Sequence, residues 1–168
     1  MKLKKTLLFV IIFLSSCTVI KRDYGNYSDI DSLKKVVPKV ENYSKYGNPT
    51  TYKVFGVQYK TLDTHIGYSE EGIASWYGKK FHGRLTSTRE KYDMYKLTAA
   101  HKTLPIPCYA RVTNLKNKKS IIVRINDRGP FKKGRIIDLS YAAAVKLGIV
   151  KSGTQKVFVE AINASKFK

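Results

Sequence analysis

Acidic residues are scarce in this chain: 12 Asp and Glu stand against 32 Lys and Arg in 168 residues, a formal net charge of +20. Cysteine is nearly absent. Cys17 and Cys108 are the only two, too few for the disulfide framework of a small cross-linked scaffold. His65, His82 and His101 have no paired spacing and no cysteine cluster beside them, which argues against a zinc site. No apolar run reaches the ~20 residues that cross a bilayer, and the run over 7–14 is far shorter. There is no glycine-rich phosphate loop and no Gly-x-Ser-x-Gly elbow. No metal and no cofactor is therefore expected.

What is present begins with a leader. Met-Lys-Leu-Lys-Lys, the apolar run and then Ser15-Ser16-Cys17 give a charged start, a short hydrophobic region and a small-residue cleavage site, the pattern of an export signal. Leu14-Ser15-Ser16-Cys17 also resembles the bacterial lipobox, whose cysteine is diacylated and becomes the new N-terminus. The competing reading is a plain secretory signal with Cys17 paired elsewhere; lipidation would leave Cys108 a lone thiol. Thr18 after the cysteine, by resemblance to sorted lipoproteins, points to the outer membrane of the cell envelope. Loss of Lys2, Lys4 and Lys5 with the leader lowers the charge from +20 to +17. A charge of that size fits nucleic acid, but an exported chain meets lipid headgroups, wall polymers and peptide carboxylates, so no nucleic-acid partner is expected. A solvated, soluble surface accounts for the charge equally well.

Along the chain the expected divisions are a signal peptide over 1–16, a polar lipid-anchored tether over 17–46, an extension over 47–71 packing on the next unit, a domain over 72–162 and a tail over 163–168. The tether is expected to be flexible, being tyrosine- and charge-rich without a sustained period. Residues 52–59 read as one strand laid on the domain. From Gly72 onward, short alternating runs over 72–77, 109–113, 120–125, 135–139 and 156–160 read as strands, with 97–101 a weaker sixth. Ser140 can cap a short helix through Leu147, ended by Gly148. The fold class is thus mainly β: a small six-stranded barrel with one short helix, closed because closure removes aggregation-prone edges. A monomer is expected.

Seven carboxylates lie from Glu70 onward, and Asp127 is the one whose position is least ordinary. Side chains alternate along a strand, so Ile121, Val123, Ile125 and Asp127 share a face if the strand stays extended: an apolar stripe ending in an acid at a rim. Burial there raises a carboxyl pKa, while Arg124 and Arg128 lower it. Asp beside Gly-Pro also caps turns, so a structural and a chemical reading are both open. Glu70, Glu71 and Glu160 read as solvated, Asp138 as support for the helix start, and Glu90 and Asp93 as members of a polar loop. Trp76 and Tyr77 are either core or stacking platforms for flat apolar surfaces such as sugar rings. His101 closes a strand and can orient a carboxylate, exchange a proton or cap the turn.

At these residues the chain resembles the rare lipoprotein A family. The resemblance rests on Gly72-Ile-Ala-Ser-Trp-Tyr-Gly78, Phe81-His-Gly83, Leu97-Thr-Ala-Ala-His-Lys-Thr-Leu-Pro105, Val112-Thr-Asn-Leu115, Val123-Arg-Ile-Asn-Asp-Arg-Gly-Pro-Phe131 and Arg135-Ile-Ile-Asp-Leu-Ser140, in order and spacing from about Tyr46 to Ile162. It implies a double-psi β-barrel, related in shape to expansins and endoglucanases. It further implies a septal lytic transglycosylase that cleaves MurNAc-β-1,4-GlcNAc bonds of peptide-poor peptidoglycan strands to 1,6-anhydro ends. By position it assigns Glu90, His101 and Asp127 as functional residues. Trp76, Tyr77, Arg124 and Arg128 are candidate substrate contacts, and Cys17 the lipid anchor. Two departures stand out: Thr88-Arg89 replaces the Asn-Gly that members often have before the glutamate, and with only a tail over 163–168 the SPOR domain many members carry is not expected. The alternatives are a non-catalytic peptidoglycan-binding lipoprotein and a hydrolase that leaves reducing ends.

Overall fold

The computed structural model describes residues 33–167; the leader, Cys17 and the first part of the expected tether lie outside them. Six strands close a barrel in the order β3-β7-β4-β6-β5-β8. They are β3 (Ser69–Tyr77), β4 (Thr98–His101), β5 (Cys108–Asn114), β6 (Ser120–Asp127), β7 (Arg135–Ser140) and β8 (Gln155–Ala161). The pairs β3–β7 and β4–β6 run parallel and the other four antiparallel. The family resemblance implied a double-psi barrel, and six closed strands with one helix are what the structure shows. Glu70 and Glu71, expected ahead of the first barrel strand, are instead its second and third residues, paired with Val159 and Phe158.

Alternation fills the interior. Ala74, Ala99, Ala110, Val112, Val123, Ile125, Ile137, Leu139, Val157 and Val159 are all fully buried, and each burial of a Val, Leu or Ile contributes about 1.5–3 kcal/mol. The helix α1 (Tyr141–Leu147) is capped by Ser140, whose side chain accepts from Ala143 N, and ends at Gly148 with φ 70°, where a residue without Cβ avoids the left-handed penalty. Its alanines pack on the barrel. Gly72 is required by close approach: a Cβ there would stand 2.5 Å from Ile136 Cγ2 on the parallel neighbour β7. Cys108 is a free thiol at 2% exposure. Burial pushes its pKa up to about 12, so it behaves as a small apolar residue rather than a nucleophile.

Two expectations ahead of the barrel are corrected. Residues 52–59 form not one strand but a hairpin, β1 (Thr51–Val54) and β2 (Val57–Lys60), which pair only with each other. Phe55 and Gly56 both take positive φ, 47° and 82°, as tight hairpin turns require; a phenylalanine there hid the turn. The hairpin sits on the barrel through Tyr52 and Tyr59, which surround Phe131 at 6.2 and 5.6 Å between ring centroids, and through Tyr52 Oη donating to Lys102 O at 2.6 Å. Residues 33–46, expected to hang free, lie along the barrel. Leu33 and Val36 pack against its core, Ser44 N donates to Ile106 O at 2.9 Å, and Tyr43 Oη is 2.7 Å from His65 Nδ1.

Candidate active site

The site is built at the end of β6. Register along β4 and β6 matches Ala99 with Ile125 but Ala100 with Asp127, so Asn126 is an extra residue. Such a bulge re-aims the side chains beyond it. Paired residues share a face of the sheet, so Asp127 leaves the apolar stripe of Val123 and Ile125 and joins Ala100 on the other face. On the far side of β4, Ala100 is matched with Asp138 of β7. Two carboxyl-bearing residues therefore flank one alanine, each a single strand spacing of about 4.8 Å from it. Asp138 was read as helix support. Instead it pairs with Arg135 at 3.3 Å. Burial raises its pKa, more than Arg135, a hydrogen bond with Ser75 and Lys102 lower it.

Asp127 Oδ1 accepts from Ser87 N at 2.8 Å, Ser87 Oγ at 2.7 Å and Arg128 N at 2.8 Å. Ser87 belongs to a tight loop, closed by the Leu85–Lys91 bridge and by Thr86 N donating to Glu90 O at 2.8 Å and Arg89 N to Thr86 O at 2.9 Å. Thr88 Oγ1 ties the loop to β6 by donating to Asn126 O at 3.1 Å. The Thr88-Arg89 departure thus keeps the loop in place, at a local cost: Arg89 has φ 68°, where glycine carries no Cβ clash. Arg89→Gly is expected to raise stability by about 0.5–1 kcal/mol and Tm by a few degrees, read by thermal unfolding; an unchanged or lowered Tm would mean the loop gains more from the Arg89 side chain than it loses.

Glu90 comes next on this loop, and Arg124 Nη1 donates to its two oxygens at 3.0 and 2.8 Å while Asn126 Nδ2 donates to Oε2 at 2.9 Å. Burial pushes this carboxyl up, but the bonds to Arg124 and Asn126 more than offset it and hold its pKa below the usual range. The remaining Arg124 donors reach Glu41, Nε to Oε1 at 3.0 Å and Nη2 to Oε2 at 2.9 Å. Tyr109 Oη also donates to Glu41. Glu41 was absent from the sequence-level candidates because it falls in the stretch read as tether, and no local pattern links residues 41 and 124. Neither arginine bonds the Asp127 side chain through its guanidinium. Arg128 is spent on the fold, donating to Gly47 O at 2.7 Å, Leu104 O at 2.5 Å and Asn48 Oδ1 at 2.8 Å.

His101 does not orient either acid in this geometry. Its Nδ1 accepts from Thr103 N and Leu104 N at 3.2 and 3.1 Å, which places the proton on Nε2, 2.8 Å from Tyr68 Oη. Tyr68 in turn donates to Glu70 at 2.5 Å. At 2% exposure, burial, with Arg128 and Lys102 nearby, depresses its pKa to about 3. It is a neutral group that fixes the 101–104 turn.

Trp76 and Tyr77 are half-buried. Trp76 packs on Tyr141 at 5.6 Å and Tyr77 on Tyr92 at 4.3 Å. The Tyr77 hydroxyl is buried; burial, then the charges on Tyr92, Asp127 and Asp138, push its pKa far up, against a hydrogen bond with Thr98. Asn126 Oδ1 and Arg135 Nε are buried without a hydrogen-bond partner, on the strands β6 and β7 that also carry Asp127 and Asp138. Beside them an open groove of about 930 Å³ is lined by Glu41, Glu90, Thr98, Tyr109, Arg124 and Asn126, among others. Its wall reaches to one residue short of Asp127. Among the described residues, no group of three or more His, Cys, Asp or Glu side chains is placed to hold a metal ion.

Comparison with known proteins fits this geometry. A family model described as lytic transglycolase matches residues 69–159, the whole barrel but its last two residues. An endolytic peptidoglycan transglycosylase RlpA of Vibrio cholerae serotype O1 is 47% identical over 167 residues, covering 95% of this chain and 63% of that protein. The protein of the same name from Neisseria meningitidis serogroup A is 59% identical over 139 residues, 83% of this chain and 58% of its own length. That of Rickettsia felis is 44% identical over 160 residues, with 92% and 70% covered. The chain thus spans less than two thirds of the Vibrio and Neisseria relatives. A match over the barrel and identities of this size over most of the chain have one meaning: the chain belongs to the lytic transglycolase family of the RlpA proteins.

Proposed function

We infer that the chain is an endolytic peptidoglycan lytic transglycosylase, with Asp127 as the group that moves the proton. The observation that carries this is the placement of Asp127: turned out of the core by the Asn126 bulge, anchored by three donors that all end on Oδ1, and next in the chain to Asn126, which lines a groove large enough for sugar rings. Oδ2 is then the reacting oxygen. The carboxyl gives its proton to the glycosidic oxygen between MurNAc and GlcNAc as that bond breaks. The muramyl 6-hydroxyl attacks its own anomeric carbon, and the carboxylate takes the hydroxyl proton, so the enzyme is restored and no water is consumed. One carboxyl suffices, unlike hydrolases that divide the two roles.

Glu90 stays ionised beside Arg124 and is therefore suited to holding the substrate and countering positive charge at the anomeric carbon, not to donating a proton. His101 supports the turn that receives the Arg128 guanidinium at His101 O and Leu104 O. Trp76 and Tyr77 contribute a packed wall whose partly exposed ring surface can meet a sugar. The rest of the reading places the protein in the cell envelope, held at the outer membrane by a diacylated Cys17, working as a single chain without cofactor.

Mass spectrometry of peptidoglycan digested with the purified protein tests the reaction. The expected product carries 1,6-anhydroMurNAc ends. Reducing ends would make the protein a hydrolase, and intact strands that still co-pellet with it would make it a non-catalytic wall tether.

A further inference from the structure

The Arg124 guanidinium sits between two carboxylates of unequal standing. Glu90 belongs to the loop fastened to β6 through Thr88 and Asn126. Glu41 comes from outside the barrel, in a strip of residues with no regular secondary structure whose neighbours Val37 and Val40 are 72% and 74% exposed. It is nevertheless Glu41 that takes the guanidinium's side-on fork, with one oxygen on Nε and the other on Nη2, the geometry in which arginine reads a planar carboxylate. Arg124 faces outward in a row with Tyr109 and Thr98 on the neighbouring strands, all three lining the groove that Asn126 also lines. Lys34, Lys39, Lys91 and Lys96 line the same groove, against Glu41, Glu90 and Asp93. A forked guanidinium seat in a groove where cations outnumber acids calls for a ligand carrying a carboxylate.

We propose that Arg124 and Tyr109 form a seat for the lactyl carboxylate of muramyl residues that carry no stem peptide, and that Glu41 occupies this seat while glycan is absent. The identity of the ligand rests on the transglycosylase reading. The chemistry then selects within that substrate. Hydroxyl and acetamido groups of the glycan are neutral, so the lactyl group is its one source of negative charge. Once that group is amide-linked to a peptide, the charge and one acceptor oxygen are gone. An amide leaves one arm of the fork unpaired, and a desolvated cation without its partner is costly. The seat therefore discriminates peptide-free from peptide-bearing strands at the muramyl residue itself. Glu41, held on the same chain beside the guanidinium, competes as an intramolecular ligand at high effective concentration and must leave the fork before a lactyl carboxylate can enter it.

The test needs no variant to begin. Peptide-free glycan strands are prepared intact and with their lactyl carboxylates reduced to alcohols, and binding of each to the purified chain is measured by co-pelleting. The parent is expected to bind intact strands several-fold more tightly than reduced ones, with the difference shrinking as salt rises. Glu41→Ala is expected to bind intact strands several-fold more tightly than the parent and reduced strands no differently. Equal binding of the two strand types by the parent overturns the seat. So does a Glu41→Ala protein, folded by its thermal unfolding, that gains nothing on intact strands or gains equally on both. The two readings fail separately: a parent that yields anhydro products without discriminating loses only the seat, and one that discriminates without cleaving loses only the transglycosylase.

Discussion

Asp127→Asn is expected to lower release of anhydromuropeptides by roughly 10²–10⁴-fold, the range for a lost general acid–base group, while binding of peptide-free glycan survives. The structure says why the two effects separate. All three hydrogen bonds to the side chain end on Oδ1, and asparagine presents an oxygen that accepts the same donors. Ser87 and Arg128 keep their partner, so the 85–91 loop and with it Glu90 stay in place. What disappears is the exchangeable proton. A purely structural Asp127 predicts the other pattern, in which Tm, binding and cleavage fall together. The measurement is therefore made on variant protein whose unfolding curve matches the parent. Near-parental release of anhydro ends would take Asp127 out of the chemistry and leave the raised-pKa carboxyl of Asp138, across Ala100, as the next candidate.

His101 is expected to dominate the acid side of the stability curve. Its folded pKa is about 3 against 6.5 for an exposed imidazole, so the native state must keep the ring neutral while the unfolded chain takes up a proton. The stability it confers is whole above pH 6.5. Below that it falls by about 1.4 kcal/mol per pH unit until the folded pKa is reached. His101→Gln keeps a side-chain acceptor for Thr103 N and Leu104 N but binds no proton. The variant should be less stable at pH 7, from imperfect burial of the amide, and yet lose about 2–3 kcal/mol less than the parent between pH 6.5 and pH 4.5. Denaturant unfolding at both pH values measures the difference. Parallel losses in the two proteins would show that the imidazole protonates in the native state. A pH–rate profile of the same variant separates His101 from the reaction, because losing a proton-carrying histidine would move the profile and losing a turn-fixing one would not.

Much of the barrel could be read from its sequence because strands and caps are local. Six alternating runs became six strands, and Ser140 and Gly148 bounded the helix as their chemistry dictates. The misreadings occur where a distant partner decides. Alternation placed Asp127 at the end of the core stripe, but the bulge at Asn126 is defined only against Ala99 and Ala100, so the face it turns to cannot be found in residues 121–127. Residues 33–46 carry tether-like composition, yet Glu41 is held by Arg124 and Tyr109, which no window around residue 41 contains. His101 was paired with the acids because all three match the family's positions; burial and the 103–104 amides hold it elsewhere. Asp138 was passed over for the opposite reason, since its nearness to a helix cap is visible in sequence and its register with Ala100 is not.

The strand order also fixes a timetable. β3 opens the barrel and pairs with β7 and β8, while β8 joins β3 to β5. Until residues 155–161 are available, both β3 and β5 keep an open edge and no subset of strands encloses the interior. Partners separated by more than 60 residues must meet before the core is rewarded, and such non-local topologies fold slowly because loop closure comes first. A chain lengthening from its N-terminus therefore cannot close the barrel until β8 emerges. Up to that point the strands stay open and threadable, and the interior is enclosed in the one step that brings β8 between β3 and β5.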